Sequence, residues 1–316
     1  MFCELRIKIY MSSDSSLVVL AGATGDLGNR IAIELLKLNA RVVAIVRSGI
    51  SSEKRGRLES QGCTVHEVDF YDAKALSEAC TGGSVVISAL AGLRDVMVDT
   101  QTQLLNAAIS AGVPRFIPSD FALDFTKLPV DWNRNLSFRN EFRERADNSK
   151  IKMTSILNGG FMNMLTGQAP FVLFKINRVL CWGDPNQLTD WTTIEDTAKF
   201  TALAALDSET PRFLKIAGDQ ISANMLAEIM SQLSGKPFKV FRPGSLGLFK
   251  FIIGLTKLLS KETTELYPPW QGMQYMHNMY SGIAKFDKVD NDRYKIKWTT
   301  VKDLLEKFLK DSNSQK

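Results

Sequence analysis

The sequence predicts an α/β fold, a doubly wound parallel sheet followed by a smaller α+β lobe at the C-terminus. Three observations lead to this prediction. Between Leu17 and about Ile156, short apolar runs alternate with amphipathic stretches, which is the rhythm of βαβ units. The apolar runs are mostly continuous, as in strands that helices cover on both faces. The chain has 316 residues, enough for about two structural units at ~150 residues each.

The first strand and the first helix have the clearest pattern. The run Leu17–Ala21 ends in a turn, after which leucine or isoleucine recurs at positions 27, 31, 35 and 38, and Asn39 stands where this helix should end. The same reasoning predicts strands at residues 17–21, 42–46, 64–68, 85–89, 115–117 and 152–157, and further helices near residues 51–60, 98–111 and 136–148.

Beyond Asn158 the rhythm weakens, which predicts a separate, smaller lobe. Helices are predicted at 193–206 and 224–234 and a strand at 213–216, whereas Pro268 and Pro269 are expected to interrupt the later helical region. We therefore divide the chain into domains 1–157 and 158–316. Residues 1–15 are expected to be a disordered leader that lacks the apolar segment of a secretory signal, with Met1 or Met11 as the natural start, and the polar tail 311–316 is expected to fray.

The composition indicates an ordinary packed protein. Hydrophobic residues make up 45% of the chain and charged residues 23%, which excludes a wholly disordered, collagen-like or coiled-coil protein. Lys250 and Lys257 break the longest apolar run, so no membrane partner is expected. The net charge is +5, but the basic residues are scattered, and nucleic-acid binding is not indicated. The four cysteines form no C-x-x-C pair, so neither a metal site nor a disulfide framework is suggested, and reduced thiols favour a cytoplasmic location.

The strongest chemical signal is the segment AGATGDLG at residues 21–28, where the first strand meets the first helix. Gly22 and Gly25 allow a tight turn and a close approach of backbone N–H groups to a diphosphate, and Gly28 allows the helix to pack on the strand. The N-terminus of the helix adds partial positive charge. Glycines also serve ordinary tight turns, but a strand before and a helix after favour a nucleotide site of the Rossmann type. The candidate cofactor-binding residues of this turn are Gly22, Thr24, Gly25, Asp26, Leu27 and Gly28.

The second and third strands each end in a residue that suits the adenosine end of NADP. Arg47 stands where NAD-specific proteins usually carry an acid for the ribose 2′-hydroxyl, and a guanidinium there favours the 2′-phosphate of NADP(H). A solvated surface arginine is the alternative. Asp69 is placed to accept a hydrogen bond from the adenine amino group or to cap the next helix, and both interpretations stay open.

Four further segments resemble those of a known family. They are VVISAL at 85–90, GVPRFIPSDF at 112–121, NGGFM at 158–162 and IEDTA at 194–198. With the glycine turn and Arg47, they make the chain similar to the NmrA-like and isoflavone-reductase-like atypical short-chain dehydrogenases from about residue 16 to residue 308. The family's Pro-Ser-Glu-Phe-Gly segment is altered here, since the chain has Asp120 in place of the glutamate and Ala122 in place of the glycine.

The resemblance implies where further parts of the cofactor would lie. The segment that would pass below the ribose and diphosphate is Ser88, Ala89 and Leu90. The alternative is that these residues are simply the end of a strand packed in the core. Near the nicotinamide would lie Pro118, Ser119 and Asn158. Fold logic agrees, because ligands of such sheets gather at the carboxyl ends of the strands.

The sequence assigns no catalytic residue. Ordinary short-chain dehydrogenases use a tyrosine with a lysine four residues later, and no tyrosine of this chain has that spacing. Isoflavone-reductase-like enzymes carry instead a lysine before the sixth strand, where this chain has Arg139. A guanidinium can bind an enolate or a carboxylate but is a poor proton donor or acceptor. Asp120 and Arg143 are candidates to take over the role of the lysine. The alternative for each is an ordinary solvated or paired residue of the loop or helix.

Phe161 and His277 are the candidates for the wall of a substrate pocket. His277 lies in MQYMHNMY at 273–280, and such soft and aromatic side chains line a pocket or belong to the core. His66 is expected as an interior or edge histidine. Two isolated histidines do not make a metal site.

Two functions compete at this level. The first is an NADPH-dependent oxidoreductase that reduces a quinone, an enone or a related conjugated carbonyl, since the nicotinamide carries the hydride chemistry and protonation can come from water. The second is a redox sensor that binds NADP without turning it over and acts through a protein partner, which Arg139 favours. A sugar-nucleotide epimerase is disfavoured because the tyrosine and lysine pair is absent.

Overall fold

A computed structural model describes residues 16–261 and 264–313 of the chain, so the expected leader at 1–15 lies outside the described residues. Six strands form one parallel sheet, in the order β3-β2-β1-β4-β5-β6, which confirms the doubly wound fold. These strands are β1 (Leu17–Ala21), β2 (Arg41–Arg47), β3 (Thr64–Val68), β4 (Val85–Ser88), β5 (Arg115–Ile117) and β6 (Lys152–Met153).

The middle of the sheet is β1, whose Val18, Val19 and Leu20 are fully buried because strands flank it on both sides and side chains cover both faces. The chain first builds β2 and β3 on one side of β1 and then crosses over to β4 and β5 on the other. The carboxyl ends of β1 and β4 therefore form the topological switch point, where open α/β sheets bind their ligands.

The helices of the first half connect these strands. They are α1 (Asp26–Lys37), α2 (Ser52–Ser60), α3 (Ala73–Cys80), α4 (Gln101–Ser110) and α5 (Arg134–Asp147). Helix α3 was not predicted, although Asp72 signals it by capping the backbone N–H groups of Lys74 and Ala75. A π-helical turn at Asp95–Thr100 precedes α4, so the helical segment begins before the predicted residue 98.

The predicted strand at 152–157 is two strands, because the chain changes partners at Thr154. The Thr154 N–H still donates to Phe116 of the central sheet, whereas the Ser155 N–H donates to the carbonyl of Arg212. The second piece, β7 (Ser155–Leu157), accordingly pairs in parallel with β12 (Phe213–Lys215). Both partners of the segment are remote in sequence, so its apolar pattern alone could not reveal the break.

The remaining strands build two small three-stranded sheets. One consists of β9 (Val172–Leu173), β10 (Arg178–Leu180) and β14 (Lys239–Phe241), and the other of β8 (Gly160–Phe161), β11 (Thr189–Thr192) and β13 (Asp219–Ile221). The later helices are α6 (Ile194–Leu206), α7 (Ala223–Ser234), α8 (Leu246–Leu259), α9 (Pro269–Tyr280) and α10 (Val301–Asn313).

Three of these helices refine the sequence prediction. Helix α6 packs on α1 of the first half: Phe200 shares a core cluster with Ile31, and Glu195 pairs with Arg30 at 3.0 Å. The domain boundary proposed at residue 157 stays a prediction. The helical region is interrupted between α8 and α9, as expected from Pro268 and Pro269, and Pro269 is the first residue of α9 because proline is well suited to the first helical turn. Helix α10 continues to Asn313, so the segment expected to fray is helical as far as the structure describes it. Among the described residues, no helix has the length and apolarity needed to cross a bilayer.

Candidate functional site

The glycine turn between β1 and α1 leaves no room for side chains. Gly22 has a φ of +88°, and a Cβ there would lie 2.4 Å from the carbonyl oxygen of Ala89. A Cβ on Gly28 would lie 2.1 Å from the carbonyl oxygen of Gly22. These distances are far below contact, so only glycine allows the turn, the end of β4 and the first turn of α1 to approach this closely.

The N-terminus of α1 is open toward this turn. Gly25 is the N-cap residue and has no side chain to accept from the N–H groups of the first turn. Asp26 does not fill this role, because its carboxylate pairs with Arg30 at 2.8 Å one turn further along the helix. The N–H groups and the helix dipole therefore remain for an anionic group of a ligand.

Arg47 lies exposed at the carboxyl end of β2, beside the turn in the sheet order. Within residues 16–261 and 264–313 it has no ion-pair or hydrogen-bond partner, whereas the nearby Arg55 is held by Glu59 at 2.9 Å and by Glu67 at 3.3 Å. A second guanidinium also reaches the turn, since Arg57 of α2 donates to the carbonyl of Thr24 at 3.5 Å. The periodicity of α2 gave no indication of this contact.

Asp69 lies exposed after β3 and accepts from the N–H of Tyr71 at 2.9 Å. The helix cap considered for Asp69 is made by Asp72 instead. The adenine contact of Asp69 stays a prediction.

The end of β4 joins the glycine turn to the end of β5. The Ala89 N–H donates to the carbonyl of Ala21 at 2.8 Å, and the Ser119 hydroxyl donates to the carbonyl of Leu90 at 2.7 Å. The buried Gln101 fixes Ser119 further by accepting from its N–H at 2.9 Å. Of the residues predicted for the cofactor, the structure thus brings Gly22, Gly28, Ala89, Leu90 and Ser119 into one chain of contacts, with Pro118 adjacent to Ser119.

Two fully buried polar side chains at this edge have no hydrogen-bond partner in the part of the chain that the structure describes. The Ser88 hydroxyl has none, and neither amide atom of Asn158 has one among the described residues, although the Asn158 backbone N–H donates to Ala122 at 3.1 Å. An unpaired buried polar group costs about 1–3 kcal/mol. Such groups are expected where a ligand supplies the missing hydrogen bonds.

Asp120, one of the candidates to replace the family lysine, is paired and not solvated. It is fully buried, and its carboxylate accepts from the Ser155 hydroxyl at 2.6 Å, which in turn accepts from Arg212 at 2.6 Å. Burial raises the pKa of Asp120 above its ordinary value, while the Ser155 hydrogen bond and the positive charge of Arg139 act in the opposite direction. Its second carboxylate oxygen has no partner in the described part of the chain.

Arg139 lies on α5, and its charge acts on both Asp120 and Tyr275, a tyrosine that the sequence did not single out. Its guanidinium donates to the Asn135 carbonyl on its own helix at 3.0 Å. Burial raises the pKa of Tyr275 on α9 to about 12, although the charge of Arg139 and a hydrogen bond with Asn135 favour the phenolate. The phenol is therefore protonated at neutral pH. Because Tyr275 and Arg139 come from helices far apart in sequence, no local spacing could have linked them.

The same helix α9 turns a polar face toward the start of α5. The Gln271 amide donates to the Asn133 side-chain oxygen at 2.8 Å, and Gln274 accepts from the Arg134 N–H at 3.3 Å. On that face the buried Asn278 has neither amide atom paired within the described residues, and one side-chain atom each of Gln271 and Asn133 is also unpaired. This second group of unpaired buried polar atoms was not predicted from the sequence.

His277 lies in an aromatic cluster under α8. Its ring centroid is 5.8 Å from that of Trp132 and 6.2 Å from that of Phe249, which stacks on Trp182 at 4.4 Å. Burial and the charge of Lys250 lower the pKa of His277, so the imidazole is neutral at pH 7. Its Nδ1 has no partner among the described residues.

Phe161 ends β8 half-buried, and a Cβ on the preceding Gly160 would lie 2.9 Å from Met279 of α9. The pocket roles of Phe161 and His277 stay predictions. His66 is an exposed residue of the edge strand β3, and the described residues contain no cluster of three or more His, Cys, Asp or Glu that could hold a metal ion.

The comparisons with known proteins agree with this architecture. The model of the NmrA-like family matches residues 14–305. The chain belongs to the NmrA-like family. Among its relatives is the isoflavone reductase homolog IRL of Zea mays, 30% identical over 72% of this chain and 78% of that protein. Quinone oxidoreductase 2 of Escherichia coli (strain K12) is 25% identical over 70% of this chain and 75% of that protein.

Solved structures give the same fold for this NmrA-like protein. The structure described as "AtPrR2 with NADP+ and (+)pinoresinol" superposes with a TM-score of 0.78 at 23% identity, covering 93% of this chain and 99% of that one. The resemblance inferred from the sequence motifs and the expected Rossmann-type architecture are both confirmed.

Proposed function

We propose that this NmrA-like protein is an NADPH-dependent oxidoreductase that reduces a quinone, an enone or a related conjugated carbonyl compound. One observation carries the proposal: a glycine cradle and an uncapped helix N-terminus adjoin the end of β4, where the fully buried Ser88 hydroxyl has no partner among the described residues, and the buried Asn158 amide after β7 has none there either. The names of the reductase and quinone oxidoreductase relatives support it.

The residues at the switch point fit the cofactor. The glycine turn and the N-terminus of α1 would hold the diphosphate, and the exposed Arg47 guanidinium would hold the 2′-phosphate. The side-chain amide of Asn158 and the hydroxyls of Ser88 and Ser119 offer hydrogen-bond donors and acceptors to the rest of the cofactor. When bound, the reduced nicotinamide supplies a hydride.

The chain's own groups would manage the charge on the substrate oxygen. Arg139 would stabilise the developing oxyanion by a charge-assisted hydrogen bond, because its guanidinium stays protonated. Tyr275, held protonated by burial and close enough to sense the Arg139 charge, would be the proton source in addition to water. The aromatic cluster at His277, with Phe161, would give a planar apolar substrate its stacking surfaces.

The described cysteines Cys63, Cys80 and Cys181 are free and buried, which supports a reducing, cytoplasmic location. A second function, the non-catalytic NADP sensor that acts through a protein partner, is favoured by Arg139 in place of the family lysine. The enzyme would oxidise NADPH continuously in the presence of its substrate, whereas the sensor would bind NADPH without oxidising it.

The test is NADPH oxidation by the full chain with a panel of quinones and enones. We expect steady turnover that falls at least tenfold in Arg139→Met, while Arg145→Met changes it less than twofold, because Arg145 lies on the same helix but is tied to Glu141 at 2.9 Å and Asp99 at 3.3 Å. Tight NADPH binding without turnover of any compound would overturn the enzyme and support the sensor.

A further inference from the structure

The outer face of α8 carries a stripe of exposed large apolar side chains. Their exposed fractions are 46% for Leu248, 67% for Phe251, 45% for Leu255, 81% for Leu258 and 75% for Leu259. We call these five residues the α8 stripe. Their spacing places them on one side of the helix, opposite the buried Phe249 and Ile253 that anchor α8 to the body. Exposed apolar residues on soluble proteins are usually scattered singly, so a continuous stripe of this kind marks an interaction surface.

The chain along α8 is predominantly basic, and two acidic residues, Glu262 and Glu265, follow it in the sequence. From Lys239 to Lys261 there are five basic residues and no acidic one, and all five are exposed. Lys250 and Lys257 run along one flank of the helix, with their ammonium groups 4.1 Å and 5.3 Å from the ring centroids of Trp132 and Trp270. Basic residues also stand at both ends of α8, with Arg242 before it and Lys261 after it.

We infer that α8 docks on an anionic membrane surface, with the α8 stripe in the lipid and the basic residues at the headgroups. An apolar helical face bordered by lysine and arginine is the composition of helices that lie in the membrane interface. Each basic residue near an anionic surface adds attraction, and residues 239–265 carry five basic and two acidic side chains, so the segment keeps a net positive charge. This mode of binding is distinct from a membrane span, for which α8 is too short.

The charges argue against a second copy of the chain as the occupant. In a two-fold contact through the α8 stripe, the same patch stands on both sides, so the basic residues of one copy would face those of the other. Such a contact buries like charges near each other, which disfavours it. An anionic lipid surface complements the patch in both apolarity and charge.

Docking would place the candidate pocket next to the bilayer. The inner face of α8 contributes Phe249, which lies against His277 and stacks on Trp182. An apolar quinone or enone dissolved in the membrane would then reach the pocket past a single helix. This second step rests on the proposed function, whereas the docking itself does not.

The experiment is co-sedimentation of the full chain with vesicles of phosphatidylcholine alone or of phosphatidylcholine with phosphatidylglycerol. We expect binding to the anionic vesicles at least tenfold tighter than to the neutral ones, and weaker at high salt. The double variant Phe251→Asp, Leu258→Asp should reduce this binding at least tenfold, while Ile176→Asp, a change at a 59% exposed residue outside α8, should leave it within twofold.

Charge is tested separately from apolarity. Arg242→Glu with Lys261→Glu should weaken binding to the anionic vesicles at least fivefold, whereas Lys302→Glu with Lys307→Glu on α10 should weaken it less than twofold. Circular dichroism of each variant checks that the fold is intact, which we expect because all substituted side chains are exposed.

Absence of binding to both kinds of vesicle, or equal binding by the α8 stripe variant, would overturn the inference. A dimer that the α8 stripe variant dissociates, without vesicle binding by the parent, would assign the surface to a second copy instead. NADPH titration of the same samples separates the two proposals, since vesicle binding without NADPH binding would sink the proposed function and leave the docking surface standing.

Discussion

The cofactor edge of the sheet and the interface of α5 with α9 are built in different ways. At the cofactor edge, backbone fills the space: the missing side chains of Gly22 and Gly28 let the turn, the end of β4 and the first turn of α1 come together. At the interface of α5 with α9, side chains fill the space, and polar atoms of Asn133, Gln271 and Asn278 have no partner among residues 16–261 and 264–313.

The difference shows how each region is expected to respond to substitutions. A backbone cradle serves one ligand shape, and a change in it disturbs fold and binding together. Side chains contributed by helices remote in sequence can be exchanged one at a time, so substitutions there are expected to disturb the backbone less.

The largest effect is expected from Gly28→Ala. The new Cβ would lie 2.1 Å from a backbone oxygen, so α1 must move away from the turn. We expect loss of about 2–4 kcal/mol in the free energy of unfolding and at least a hundredfold loss in NADPH affinity, measured by urea titration and by fluorescence titration.

The control is Gly56→Ala in α2, where an added Cβ meets no atom within 4 Å. This change should stabilise the protein by about 0.5–1 kcal/mol, because alanine is the better helix former. Equal effects of the two substitutions would show that the cradle does not require glycine.

A smaller effect is expected from Asn158→Leu, which should increase stability and decrease activity. Removal of two unpaired buried amide atoms should raise the free energy of unfolding without ligand by about 1 kcal/mol, and turnover should fall at least tenfold. Thermal melts and NADPH oxidation measure the two quantities.

Asn135→Leu is the matched control, since this buried amide is paired: it donates to Leu266 at 2.9 Å and accepts from Arg134 at 3.0 Å. It should destabilise the protein. If Asn158→Leu destabilises as well, the unpaired amide is not held open for a ligand.

The smallest effect concerns pH. Because burial raises the folded-state pKa of Asp120, the contribution of this carboxyl to stability is fully present below its ordinary pKa of about 3.9 and is lost as pH rises through the raised value. Asp120→Asn should therefore gain stability relative to the parent as pH increases across that window.

Urea titrations at a series of pH values check this, with the exposed Asp131→Asn as control. Asn is compatible with the left-handed backbone of that residue, whose φ is 59°. Parallel stability curves for Asp120→Asn and the parent would contradict the assigned direction of the pKa shift.

The sequence predicted the region governed by local pattern and missed the features that depend on remote partners. β1, β3 and β5 have the expected bounds because each is a compact run between turn signals. The break at Thr154 depends on the carbonyl of Arg212, and the neighbourhood of Arg139 depends on Tyr275, so neither leaves a local trace. The interruption expected at Pro268 and Pro269 lies between α8 and α9, and the local pattern did not show that Pro269 also opens the next helix.

The central claim is that the carboxyl ends of β1 and β2 select a phosphorylated dinucleotide. Calorimetric titration of NADPH and NADH into the parent, Arg47→Glu and Arg41→Glu tests it most directly, because Arg41 is an exposed arginine at the opposite end of the same strand. A charge-assisted hydrogen bond is worth about 1.5–3 kcal/mol, so the parent should bind NADPH at least tenfold tighter than NADH, Arg47→Glu should abolish that preference, and Arg41→Glu should keep it. Equal affinity of the parent for the two dinucleotides, or tighter binding of NADH, would contradict the account.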